Sequence, residues 1–177
     1  MEAAWRDHGT TIILAALLLP AGGVVAYLWR RRTRTPREAF AEVGFLVMTL
    51  PFIGMLFTPQ PAPRSVDLVP LHDLPSWFTG DPGTALAQIV GNLLVLAGLG
   101  LLPIRFPVLA SMPRILGLAV ASAVLIETLQ WALAIGRVSS IDDVLVNTAG
   151  AMLAAAVFRR WWAAEESAPK RRSLPVA

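Results

Sequence analysis

The side chains best suited to binding or catalysis are polar and ionisable residues within long apolar stretches of the sequence. Carboxylate, carboxamide and guanidinium groups supply the charges and directional hydrogen bonds that can hold a headgroup, a peptide or a sugar. The candidate ligand-binding residues are Asn92, Glu127, Gln130, Arg137, Asp142, Asp143 and Asn147. They come from three apolar segments and one short connection, so a single site requires those segments to pack together.

Glu127 is the strongest of these candidates because it lies deep within an apolar run. A charged side chain near the centre of a bilayer costs at least ~2.5–3.5 kcal/mol, so it must face the interior of a bundle or a wet cavity. Arg137 lies in the next short connection and is the natural cationic partner for Glu127, Asp142 or Asp143, although an isolated arginine also commonly snorkels to the membrane surface. We expect an ion pair here.

The same residues also have purely structural interpretations. Ser140 and Asp143 fit a capping box at the start of a helix, where acidic side chains interact favourably with the helix dipole. The amides of Asn92, Gln130 and Asn147 can instead bridge neighbouring helices by hydrogen bonds. Both the structural and the ligand-binding interpretation stay open at this point.

Several familiar kinds of chemistry are excluded or unsupported by the sequence. The chain has no cysteine, which excludes disulfides, thiolate nucleophiles and zinc–cysteine sites. It also contains no nucleophile elbow and no phosphate-binding glycine loop. His72 and Asp73 could form a metal-binding or acid–base pair, but they lie in a loop and match no zinc-helix signature. We therefore assign no catalytic residue, no metal and no cofactor.

Composition indicates that the elements positioning these residues are membrane-spanning helices. Hydrophobic residues make up 55% of the 177 residues, charged residues only 15%, and the mean hydropathy is +0.61. A soluble domain is less apolar and more charged. Runs of roughly 20 apolar residues match the ~30 Å hydrocarbon layer. The predicted fold is therefore all-α, a polytopic bundle of about five spanning helices, at residues 11–29, 38–57, 84–102, 112–135 and 141–162.

The distribution of Lys and Arg predicts the orientation of this bundle in a cell membrane. Only Arg6, Arg64 and Arg137 fall on one side of it, and the other twelve basic residues fall on the opposite side. By the positive-inside rule, the N-terminus lies outside and the C-terminus in the cytoplasm. Basic residues that flank apolar runs suit lipid headgroups, so the net charge of +3 does not indicate nucleic acid.

The chain divides into three predicted parts. Residues 1–57 form two spanning helices with a basic cytoplasmic loop, residues 58–162 form the domain that carries the candidate site, and residues 163–177 form a disordered cytoplasmic tail. The loop 58–83 holds six of the 14 prolines, which predicts an irregular external cap without helix or sheet. Small residues four apart, such as Gly117 with Ala121 and Gly150 with Ala154, predict close packing of the last three helices.

Five short motifs follow one another between residues 67 and 157. They are Asp67-Leu68-Val69-Pro70, Gly91-Asn92-Leu93-Leu94, Glu127-Thr128-Leu129-Gln130, Gly136-Arg137, and Asp143 with Asn147 and Gly150. In these motifs the chain resembles the VanZ-like family of bacterial membrane proteins. The family is named for a protein associated with teicoplanin resistance. The resemblance implies a multi-pass protein of the bacterial inner membrane, but it brings no settled reaction.

Three functions are compatible with these observations. The first is a non-catalytic envelope protein that binds or shields a lipid-linked wall component or a lipoglycopeptide through an outward-facing polar site, with membrane lipids as its other partners. The second is an intramembrane enzyme acting on a lipid phosphate or lipid-linked sugar, with Glu127, Asp142 or Asp143 as base or Mg²⁺ ligands. The third is a proton-coupled transporter that uses Glu127 as its proton carrier.

Overall fold

The computed structural model describes residues 17–59, 65–72 and 82–162 of the chain, and these are mostly helical. The helices are α1 (Leu17–Arg30), α2 (Pro36–Leu56), α3 (Pro82–Val95), α4 (Leu102–Arg105), α5 (Met112–Ala132) and α6 (Ile141–Phe158). Short 3₁₀ helices occupy Ala97–Leu101, Pro107–Leu109 and Arg159–Trp161. Two short strands, β1 (Ser65–Asp67) and β2 (Val138–Ser140), complete the described part.

Within the described ranges, three helices are long and apolar enough to cross a membrane, and they correspond to three of the five predicted spans. They are Pro36–Leu56, Met112–Ala132 and Ile141–Trp161. The first predicted span begins outside the described residues, and α1 is a shorter apolar helix. The prediction of one continuous α-helix over 84–102 is wrong, because α3 ends at Val95 and a 3₁₀ helix follows. Gly98 and Gly100 favour helix weakly, and Pro103 has no N–H to continue the α-helical pattern.

Hydroxyl caps determine where three of the helices begin. Thr35 precedes α2, Ser111 precedes α5 and Ser140 precedes α6, and each side-chain oxygen accepts a hydrogen bond from a backbone N–H of the first turn. At α2 the bond is reciprocated, since the Glu38 carboxylate accepts from the Thr35 N–H at 3.1 Å. Such caps satisfy donors that the helix itself cannot pair.

The packing places small side chains inside and large apolar side chains outside, as expected for helices surrounded by lipid. On α5, Ala119 and Ala123 are completely buried, whereas Val124 and Leu125 are 49% and 57% exposed. Lipid chains are as apolar as leucine, so helices associate through close contact of small residues rather than by burying large ones. The main core cluster comprises Leu56, Val95, Leu96, Leu99, Ala119, Ala123 and Ala151.

The closest helix contact brings Gly150 of α6 against the backbone of α3. A Cβ atom added at Gly150 would lie 1.8 Å from the carbonyl oxygen of Leu93, so only glycine fits at this crossing. Gly117 has no such neighbour within 4 Å among the described residues. The predicted close packing through small residues is therefore confirmed at Gly150, whereas Gly117 makes no close contact with the described part of the chain.

The segment between α2 and α3 contains a strand, so the prediction that 58–83 is without helix or sheet is wrong. β1 pairs with β2 in parallel, with Val66 opposite Ser139 and Asp67 opposite Ser140. Ser65–Asp67 falls between two prolines, so its own N–H groups remain available for pairing. This pairing fixes the segment to the turn between α5 and α6.

Candidate functional site

Glu127 connects α5 to β2 through hydrogen bonds. Glu127 is 8% exposed, and its carboxylate Oε2 atom accepts a hydrogen bond from the Ser140 N–H at 3.1 Å. The Ser139 hydroxyl donates to the Glu127 carbonyl oxygen at 3.0 Å. A buried carboxylate requires such donors, because an unpaired buried charge is strongly unfavourable. Glu127 therefore faces the interior, as the sequence predicts.

Asp143 and Asn92 join α6 to α3. The Asn92 Nδ2 group donates to the Asp143 Oδ1 atom at 2.5 Å. Asn147 lies one turn further along α6 and is 1% exposed, and its Oδ1 atom has no hydrogen-bond partner among the described residues. Since Gly150 follows on the same face, these residues line the α3–α6 crossing. The structure thus brings Asn92 and Asp143 together and leaves Asn147 beside them.

Asp142 binds the segment between β1 and α3. It is completely buried, and its Oδ1 atom accepts a hydrogen bond from the Leu71 N–H at 2.5 Å. Leu71 has a φ of 65°, a left-handed conformation that a leucine rarely adopts without support from its surroundings. At the expected capping box of Ser140 with Asp143, the Ser140 hydroxyl accepts from the Asp142 N–H, the Ser140 N–H donates to Glu127, and Asp143 accepts from Asn92. Asp142 therefore holds a strained turn over the start of α6.

The same turn contains a histidine–aspartate pair. The His72 ring Nδ1 hydrogen-bonds the Asp67 carboxylate, and the Val69 N–H donates to Asp67 at 2.9 Å. These two bonds hold the pKa of Asp67 below its ordinary value of 3.8, with the larger contribution from His72. The sequence instead suggested His72 with Asp73, and Asp73 lies outside the described residues. The role of this pair is to order the turn.

Gln130 and Arg137 both bind the C-terminal end of α2. The Gln130 Nε2 group donates to the Leu56 carbonyl at 3.0 Å, and the Arg137 Nη2 group donates to the Met55 carbonyl at 3.0 Å. The last carbonyls of a helix have no partner within that helix, and a cation there also interacts favourably with the helix dipole. Two of the predicted ligand-binding residues thus cap a helix.

The prediction that Arg137 forms an ion pair is wrong within the part of the chain that the structure describes. Its guanidinium group bonds the α2 carbonyl end, and no described carboxylate lies within ion-pairing distance of it. Arg137 still attracts Glu127 electrostatically, whereas Asp143 repels Glu127. The three charged groups therefore converge on one end of the bundle without direct ion pairing. The Nε atom of Arg137 is buried without a hydrogen bond among the described residues.

A cavity of about 390 Å³ opens beside Glu127. Apolar side chains of β1, α5 and α6 form most of its wall, and polar atoms of Glu127, Ser139 and Ser140 lie at one part of it. The apolar lining residues include Val66, Leu68, Val124, Trp131 and Val144. Among the described residues that line the cavity, Glu127 alone has an ionisable side chain. An apolar cleft with a few polar groups is the usual form of a small-molecule site.

Sequence reasoning missed the contributions of β1 and β2 to this cavity. Val66 and Leu68 were assigned to an irregular loop, and Ser139 was not considered as a site residue. A signal was present in the sequence, since Ser65–Asp67 is free of proline within a proline-rich segment. None of the groupings of His, Asp and Glu within the described residues is suited to a metal ion.

Comparison with known proteins gives a family for this arrangement. A sequence model of the VanZ/LLP1 family matches residues 43–162, which includes the C-terminal part of α2, β1, β2 and all seven candidate residues. Searches of curated proteins and of solved structures found no match. The match covers more than half of the chain and every group of the site, and so establishes that the protein belongs to the VanZ/LLP1 family.

Proposed function

We propose that this chain is a multi-pass protein of the bacterial inner membrane that binds or shields an amphiphile of the cell envelope. The ligand is a lipid-linked wall component or a lipoglycopeptide of the teicoplanin type. In this proposal the N-terminus and the candidate site face outward, and the C-terminus is cytoplasmic. The observation that carries the proposal is the apolar cavity with Glu127 in its wall.

The two parts of the cavity suit the two parts of such a ligand. Valine, leucine and tryptophan side chains offer an apolar surface for an acyl or isoprenoid chain. The Glu127 carboxylate accepts hydrogen bonds, so it selects an amine, an amide or a sugar hydroxyl. The sugar or peptide part of the ligand therefore occupies the polar end.

A charge-removing substitution tests the role of Glu127. Glu127→Gln keeps the size of the side chain and retains an oxygen that can accept from the Ser140 N–H. Removing a charge that costs ~2.5 kcal/mol or more to insert should leave stability unchanged or raised. We expect the variant to insert normally and to lose the protection that the wild-type chain gives against envelope antibiotics such as teicoplanin.

Blocking the cavity gives an independent test with a matched control. Val124 lines the cavity, whereas Val120 lies one turn earlier on the same helix, is similarly exposed and does not line it. We expect Val124→Phe to abolish protection and binding of a lipoglycopeptide to the purified protein in lipid nanodiscs, and Val120→Phe to preserve both. Full protection by correctly inserted Glu127→Gln and Val124→Phe variants would refute the proposed function.

A further inference from the structure

A second group of charged residues lies at the opposite end of the bundle from Arg137. The Glu42 carboxylate of α2 accepts hydrogen bonds from Nε of Arg30, the last residue of α1, and from Nε of Arg105 in α4 at 3.0 Å. Arg34, in the connection between α1 and α2, contributes its Nε atom at 3.7 Å from Glu42. Three separate segments therefore converge on one carboxylate.

This cluster carries a surplus of positive charge. Arg105 also approaches Glu38 at 3.9 Å, so three guanidinium groups share two carboxylates. Each guanidinium has five N–H donors and each carboxylate about four acceptor sites, so the three guanidinium groups together carry more donors than the two carboxylates can accept. The side chains of Arg30 and Arg105 are 35% and 28% exposed, so part of each guanidinium remains accessible. The cluster can therefore bind an additional anion.

An apolar cavity adjoins the same arginines. Its volume is about 540 Å³, and its wall combines Arg30, Glu42 and Arg105 with side chains of α1, α2 and α4. The apolar wall includes Ala26, Trp29, Phe45, Leu46, Leu102 and Phe106. The adjacent Trp29 and Leu46 are 65% and 49% exposed, as expected for side chains that face lipid.

We propose that this cavity is a binding site for an acidic phospholipid of the membrane leaflet at the basic end. The phosphate binds the accessible parts of Arg30 and Arg105, and an acyl chain lies along the apolar wall. Charge complementarity favours this occupant, because basic pockets between membrane helices commonly bind anionic headgroups. The apolar wall favours a lipid over a free phosphate ion. A bound lipid would hold α1 against α2 and α4, where Glu42 already joins them.

Native mass spectrometry of protein taken from bilayers with equal phosphatidylglycerol and phosphatidylcholine tests this proposal. We expect the wild-type chain to retain phosphatidylglycerol preferentially. The double variant Arg30→Gln with Arg105→Gln should reduce that preference by roughly tenfold or more, because it removes both guanidinium groups that attract the anionic headgroup. The control is Arg31→Gln with Arg32→Gln, which removes the same charge from exposed residues that do not line the cavity, and it should keep the preference.

A third variant separates loss of the site from loss of folding. Ala26→Phe fills the apolar part of the cavity and leaves all the arginines and Glu42 in place, so it should also reduce retention of phosphatidylglycerol. Equal retention of the two lipids by the wild-type chain would overturn the proposal. So would equal losses in the Arg30/Arg105 and Arg31/Arg32 variants, retention unchanged by Ala26→Phe, or displacement of the lipid by inorganic phosphate.

Discussion

Replacing Gly150 by alanine should separate α6 from α3 at their closest contact. The new Cβ atom would lie 1.8 Å from the Leu93 carbonyl oxygen, whereas ordinary carbon–oxygen contacts are about 3.3–3.6 Å. The α3 backbone would have to move by roughly 1.5 Å, the difference between these distances. A backbone atom cannot rotate away as a flexible side chain can. The matched control is Gly117→Ala, in which the added methyl group meets nothing within 4 Å.

The two substitutions should change stability in opposite directions. Overpacking a tight contact costs about 1–3 kcal/mol and sometimes more, and a backbone clash at Gly150 belongs at the upper end of this range. Replacing glycine by alanine inside a helix returns ~0.8–1 kcal/mol. We expect Gly150→Ala to lower the free energy of unfolding by about 2 kcal/mol, or the melting temperature by roughly 4–8 °C. Gly117→Ala should raise the free energy of unfolding by up to ~1 kcal/mol.

Unfolding of the purified protein by heat and by sodium dodecyl sulfate in mixed micelles measures both effects. Displacement of Leu93 should also move its neighbour Asn92 away from Asp143, to which it now hydrogen-bonds. Lipoglycopeptide binding should therefore weaken in Gly150→Ala and remain normal in Gly117→Ala. Equal stability of the two variants would refute the close approach of α3 and α6.

Two further predictions concern the segment before α3. The chain has no natural cysteine, so single cysteines can report the topology. A membrane-impermeant maleimide applied to intact cells should label Ser65→Cys, and should label Thr33→Cys only after permeabilisation. The reverse pattern would contradict the proposed topology. The hydrogen bond from His72 lowers the pKa of Asp67, so the bonded turn should persist above about pH 3.8 and weaken as the pH falls through the lowered pKa. In His72→Ala the Asp67 pKa, followed by carboxyl-carbon NMR, should return toward 3.8; an unchanged value would show that this bond does not set it.

The apolar helices could be predicted from the sequence because the length of a span depends only on local composition. Pro36–Leu56, Met112–Ala132 and Ile141–Trp161 lie close to the predicted segments for this reason. Periodicity within one helix likewise places Asp143, Asn147 and Gly150 on one face of α6. The interior position of Glu127 followed from the cost of a charge in lipid.

The partner of each polar side chain was decided only by the tertiary structure. Arg137 was expected to pair with a carboxylate, yet it bonds the carbonyl end of α2, as does Gln130. Helical periodicity gives the angle of a side chain around its own axis, but it contains no information on which distant helix end lies opposite. Asp142 similarly bonds Leu71, which lies in a segment expected to be irregular.

The sequence by itself determined that the chain is a helical membrane protein. It also determined which few polar residues lie within apolar segments, where lipid cannot solvate them. The tertiary structure decided that β1 pairs with β2 and that their side chains complete the cavity beside Glu127. A strand of three residues has too little local preference to be recognised alone. It forms because a strand distant in sequence supplies its hydrogen-bond partners. The two strands meet only when the helices between them pack.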